Sequence, residues 1–110
     1  MQQPISPERA HHDFVREAIL KVFLVSRRTS ELAFLELLLQ LDADGCPVLP
    51  GSLAGYLDDM KDRGWVGFTT RRTAKALREI VRVRILPQGR DVFDGVLTEP
   101  GIPSRHATNE

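Results

Sequence analysis

The chain is expected to fold as an α+β domain, mainly helical, with a two-stranded antiparallel hairpin towards its C-terminal end. Three observations predict this. Residues 1–64 carry three apolar patterns at helical spacing, separated by capping and breaking residues. "WVGFTT" and "VRVRIL" have strand composition, and the second alternates strictly. Pro87 then opens a last short helical pattern, "PQGRDVFDGVL".

The first helix starts at Ser6-Pro7-Glu8, where serine can cap, proline is pre-set for the first turn and glutamate meets the positive end of the dipole. Phe14, Val15, Ala18, Ile19, Val22 and Val25 carry it to about Val25, and Arg27-Arg28 complement its C-terminal end. Thr29 or Ser30 is expected to cap a second helix. Its body, "ELAFLELLLQL", is apolar on nearly every side except Glu31, Glu36 and Gln40, the pattern of a buried central helix. "DADGCPVLPG" ends it, and its two prolines bar a continuous ladder. Ser52 then caps a third helix, with Leu53, Tyr56, Leu57 and Met60 as a single apolar stripe and Gly64 as its left-handed terminus. Asp58, Asp59, Lys61, Asp62 and Arg63 face outward.

In the hairpin, Val81, Val83 and Ile85 share one face and Arg82 and Arg84 the other. "RRTAKALRE" joins the two strands and also fits a helical turn. Val92, Phe93 and Val96 are the inward residues of the last helix. "TEPGIPSRHATNE" is polar and rich in breakers, which predicts a mobile tail.

Composition bounds the function. Hydrophobic content of 42% and charged content of 27% describe a globular protein rather than a disordered one. No apolar run approaches the ~20 residues that span a bilayer, and the N-terminus lacks a secretory pattern. The single cysteine, Cys46, suits a reducing compartment, so the expected setting is cytoplasmic. Net charge is zero but uneven. Residues 1–64 hold 7 Lys/Arg against 10 Asp/Glu, and residues 65–110 hold 8 against 5. Within 71–90 there are 7 basic residues and Glu79 alone, a net of +6.

The order helix, helix, helix, strand, basic loop, strand, helix resembles a winged helix-turn-helix. "YLDDMKDRGWV" is similar to the end of the third helix in ArsR- and MarR-type repressors, where leucines pack inward and a glycine turns the chain into the wing. "VRVRILPQGRDVF" resembles their return strand and closing helix. "GRDVFDGVLTEPGI" looks like the end of the short winged-helix proteins of Mu-like phages and prophages. The resemblance implies an added helix over 1–28, suited to dimerisation, a winged-helix domain over 29–97 and a flexible tail over 98–110. It also implies a bacterial cytoplasmic setting and a non-catalytic DNA-binding or regulatory role. One departure stands out. Only "DADGCPVLPGS" separates Leu41 from Leu53, so the helix that positions the recognition helix is expected to be absent or reduced to one turn.

The candidate DNA contacts are Arg71, Arg72, Lys75 and Arg78, supported by Arg82 and Arg84. Wing arginines can lie along a phosphate backbone, which gives salt-dependent and largely sequence-neutral binding. The third helix is a poor reader of bases, because it holds no Asn or Gln and its Asp58, Asp59 and Asp62 would face phosphates. Each such approach costs on the order of 1 kcal/mol in water. His11, His12 and Asp13 read as a solvated group, because adjacent helical positions diverge by about 100°. Cys46 reads as a packing residue, and no glycine-rich phosphate loop is present. No cofactor, metal or small-molecule substrate is called for. The expected partners are double-stranded DNA and a second copy of the chain. The rival reading is a protein-interaction or oligomerisation module without DNA binding, favoured by the acidic third helix.

Overall fold

The computed structural model describes residues 7–75 and 77–95. Its elements run α1 (Pro7–Lys21), a wide π-helical turn (Val22–Ser26), β1 (Glu31–Ala33), α2 (Phe34–Ala43), α3 (Pro50–Asp62), β2 (Val66–Arg72), β3 (Arg78–Ile85) and α4 (Pro87–Phe93). The strands form one antiparallel sheet in the order β1-β3-β2. This is an α+β winged helix-turn-helix: β1 lies between α1 and α2, and the β2–β3 wing follows α3. The expected cap at Ser6, inward Val96 and the tail over 98–110 lie outside the described residues.

Three expectations are corrected. The sheet has three strands rather than two, because Glu31, Leu32 and Ala33 pair with Arg84, Val83 and Arg82 instead of beginning a helix. Helix α2 therefore starts at Phe34, where the Glu36 carboxylate accepts the Ala33 backbone N–H at 2.9 Å. Nor is α2 buried all round. Leu37 and Leu41 are fully buried, but Leu35 and Leu39 on the opposite side are each 61% exposed. Finally, a positioning helix is present. It is α2 itself, joined to α3 by a short connection, and α3 starts at Pro50 rather than after Ser52. Proline fits that first turn because its missing N–H has no intrahelical acceptor there.

One hydrophobic core holds the elements together. α1 and its π turn supply Val15, Ile19, Leu20, Val22 and Phe23. The widened turn, closed by Arg27 N–H donating to Val22 O at 2.8 Å, lets the neighbours Val22 and Phe23 both be buried. α2 adds Leu37 and Leu41; α3 adds Leu53, Leu57 and Met60. Val66, Val83 and Ile85 close it from the sheet, Trp65 from the corner before β2, and Val92 and Phe93 from α4. Each such aliphatic side chain stabilises the fold by about 1.5–3 kcal/mol relative to exposure.

Two glycines fix how the wing leaves the core. Gly64 ends α3 at φ +79°, and Trp65 N–H then donates back to Met60 O at 2.9 Å. Gly89 in α4 lies against the Trp65 backbone, where an added Cβ would stand 2.3 Å from the Trp65 carbonyl oxygen. α4 is thereby pressed onto the corner where α3 becomes β2.

The wing departs from simple alternation at one residue. Thr69 pairs with Arg82 but Thr70 pairs with Ile80, so Val81 is extra and forms a bulge. Ile80, not Val81, therefore packs against the core alongside Val83 and Ile85. In the joining segment, Ala74 and Lys75 lie in a turn, and Thr73 N–H donates to Leu77 O at 2.8 Å.

Candidate nucleic-acid interface

In a winged helix the outward side of α3 and the wing beside it form one surface. The N-terminal half of α3 presents small residues there, Gly51, Ser52 and Gly55, all exposed. Farther along come Asp58, Lys61 and Asp62, also exposed. Asp59 is withdrawn from that surface by two arginines. Arg16 Nε of α1 lies 2.9 Å from Asp59 Oδ2, and Arg63 Nε lies 3.1 Å from the same oxygen. Arg16 also reaches Asp13 at 3.0 Å. This half-buried group ties α1 to α3, and Arg63 extends it by lying over the Trp65 ring at 5.1 Å. Sequence patterning marks Asp59 and Arg63 as solvated; no local signal joins them to a residue 43 positions earlier.

Strand register sorts the six basic candidates. Directly paired residues share a face, and positions two apart along a strand do so as well. Arg71, Arg82 and Arg84 lie on the face away from the core, with Glu31, Gly67, Thr69 and Glu79. Arg72 and Arg78 pair with each other on the opposite face, the one that also carries Val66, Phe68 and Ile80 towards the helices. Lys75 sits in the turn at the tip. The structure thus brings Arg72, Arg78 and Lys75 together at the distal end and separates them from Arg82 and Arg84.

Their electrostatic situations differ. Arg82 meets Glu31 at 3.4 Å and Arg71 meets Glu79 at 3.3 Å. The Arg84 guanidinium lies across Gly67, where a Cβ would come within 2.8 Å of its central carbon. Among the described residues, Arg72, Lys75 and Arg78 face no acidic partner within ion-pair distance. Two arginines opposite each other repel, which destabilises a strand pair by up to about 1 kcal/mol.

Between α3 and the wing lies an open cleft of about 610 Å³, with Phe34, Phe68, Ile80 and Ala54 on its floor and sides and Asp58, Lys61 and Arg78 at its margins. Lys61 Nζ sits 4.9 Å from the centre of the Phe68 ring, so a cation–π contact spans from α3 to the wing.

The remaining polar candidates have structural places. His12 meets Tyr56 edge-on at 5.5 Å, and Asp13 is held by Arg16. Burial pushes the Tyr56 hydroxyl up from its ordinary pKa. Cys46 is buried, and the same desolvation raises its thiol pKa, which keeps it a protonated packing group at neutral pH. The described residues contain no group of three or more His, Cys, Asp or Glu side chains placed to hold a metal ion. No described helix is long and apolar enough to cross a membrane.

Among solved structures, the chain is similar to TA0346 of Thermoplasma acidophilum, a protein provisionally assigned as a transcriptional regulator. The likeness covers 77% of this chain and 78% of that one, at 27% identity and a TM-score of 0.57. It agrees with the winged-helix architecture. No protein-family model matches the chain, and no curated protein does.

Proposed function

We propose that this protein is a non-catalytic winged-helix regulator that contacts double-stranded DNA through the distal half of its wing. The Arg72–Arg78 pair carries the reading. Two facing guanidiniums are unfavourable in the free protein, and a phosphate lying over them turns the repulsion into two charge-assisted hydrogen bonds. Lys75 extends the contact, with Arg71, Arg82 and Arg84 as a second row on the other face. Binding through these groups is to backbone rather than bases, in keeping with an α3 that lacks Asn and Gln. Similarity to a protein provisionally assigned as a transcriptional regulator supports the regulatory role. A phage or prophage origin, with action in a bacterial cytoplasm, rests on the "GRDVFDGVLTEPGI" resemblance. Titration with duplex DNA at ~50 and ~200 mM salt tests the reading. Three phosphate contacts predict roughly forty-fold weaker binding at the higher salt. Absence of retention at the lower salt sinks it.

A second reading has its own observation. Leu35 and Leu39, one turn apart on α2, are each 61% exposed and suit a homodimer or protein contact. On that reading the protein is a stable oligomer with negligible DNA affinity. Sedimentation of the Leu35→Ser/Leu39→Ser variant separates the two: dissociation with DNA retention intact assigns DNA to the wing.

A further inference from the structure

We infer that Leu77, at the tip of the wing, is an apolar wedge that enters the minor groove of duplex DNA and unstacks a base step, so that binding bends the duplex. The inference rests on the reading of the distal wing as a DNA contact and adds to it the groove and the deformation.

Leu77 is 63% exposed and lies apart from the hydrophobic core. Its backbone is nevertheless fixed. Thr73 N–H donates to Leu77 O at 2.8 Å, and Leu77 N–H donates to the Thr73 hydroxyl oxygen at 3.3 Å. A leucine pinned at a turn and facing water contributes little to folding, and a polar residue would serve the turn as well. Its surroundings indicate what covers it. Arg78 follows it directly, Arg72 pairs with Arg78, and Lys75 shares the turn. With no acidic partner among the described residues, these three cations select an anionic surface around the leucine.

Duplex DNA and an anionic membrane both offer one, and two arguments favour DNA. Membrane attachment scales with buried apolar area, and even one fourteen-carbon acyl chain holds only marginally. A single leucine holds less. A flat anionic surface laid across the α3 side of the wing would also meet Asp58, which is exposed in the cleft that Arg78 lines. A groove admits the tip alone. Apolar side chains between base steps are an established means of kinking a duplex, and the flanking cations keep hold of the phosphates on either side.

The test uses the full chain and a duplex with one central TpA step, a flexible step, flanked by 2-aminopurine and labelled at both ends for energy transfer. Wild type is expected to raise 2-aminopurine fluorescence and shorten the end-to-end distance. Leu77→Ala is expected to bind roughly tenfold more weakly, the order of one leucine's burial, with an unchanged salt slope and neither optical change. Leu77→Met restores both signals, and the exposure of the site predicts equal thermal melts for all three proteins. DNA retention without either optical change in wild type overturns the wedge and leaves the wing reading standing, as does Leu77→Ala behaving like wild type. Capture by phosphatidylserine vesicles with no DNA retention overturns both.

Discussion

The two halves of the wing use the same residue types to opposite ends. Near the core, Arg82 meets Glu31, Arg84 lies over Gly67, and Val83 and Ile85 are buried on the opposite face. Leu86 N–H donates to the Trp65 carbonyl at 2.9 Å, and α4 presses on the same corner through Gly89. Past the bulge, Arg71, Arg72, Arg78 and Glu79 are all exposed, and the Arg71–Glu79 ion pair leaves Arg72 and Arg78 facing each other. Arginine content alone therefore says little about a surface. What matters is where the guanidiniums without a counter-charge stand together, and here that is Arg72 and Arg78.

The largest expected effect tests that division directly. Arg72→Glu/Arg78→Glu should lower DNA affinity about hundredfold, or roughly 2.7 kcal/mol, with the melting temperature little changed, because two facing glutamates repel as two arginines do. Arg82→Glu/Arg84→Glu should weaken binding by less than about tenfold, because Arg82 already meets Glu31 and Arg84 lies over Gly67 on the other face, away from the distal cluster. Filter retention and thermal melts read both, and equal losses from the two pairs would erase the distinction between the halves.

Gly89→Ala attacks the anchored half. Its new Cβ meets backbone, which cannot swing aside, so the domain should lose about 2 kcal/mol in urea titration even after the better helix propensity of alanine. An unchanged midpoint would show that α4 does not hold the corner. Arg72→Thr comes next in size. By removing one of two facing like charges and adding a good strand former, it should stabilise the fold by about 0.5 kcal/mol while weakening DNA retention. Such opposed changes in one variant are hard to obtain unless the repulsion is kept for a ligand.

The smallest effect lies outside the wing and gives a baseline. The Asp44 carboxylate accepts from the Ser26 hydroxyl at 2.6 Å and from the Gln40 amide at 2.8 Å, which holds its pKa below the ordinary carboxylate range. A depressed folded pKa means stability fully present above the unfolded value and lost as pH falls through the folded one. Acid melts below about pH 4 should therefore show a slightly shallower loss in Asp44→Asn than in wild type.

Much of this was legible in the sequence. The Leu53, Leu57 and Met60 stripe, Gly64 as a left-handed stop, both wing strands and the Pro87 helix start all appear where local chemistry places them. The failures share a cause. "ELAFLELLLQL" is apolar in every phase, so periodicity could not show that its first three residues pair with β3 while the rest coil. Nor could it show that Leu35 and Leu39 turn outward. The candidate site suffered similarly. A run of seven basic residues was visible, but the counter-charges come from Glu31 and Glu79, and which arginine each meets depends on strand register. The positioning helix is hidden for the same reason, because α2 itself fills that role and its sequence reads as a buried central helix.

The bulge at Val81 also decides which charges meet. An unbroken ladder continuing from the Thr69–Arg82 pair would set Glu79 across from Arg72 and bring Val81 inward. That rung would be a neutral ion pair. One extra residue moves Glu79 to Arg71 and delivers Arg78 to Arg72 instead. With no change in net charge, the extra residue puts the uncompensated Arg72 and Arg78 across from each other on one face. A single unpaired backbone unit thus decides which face of the tip carries the uncompensated charge.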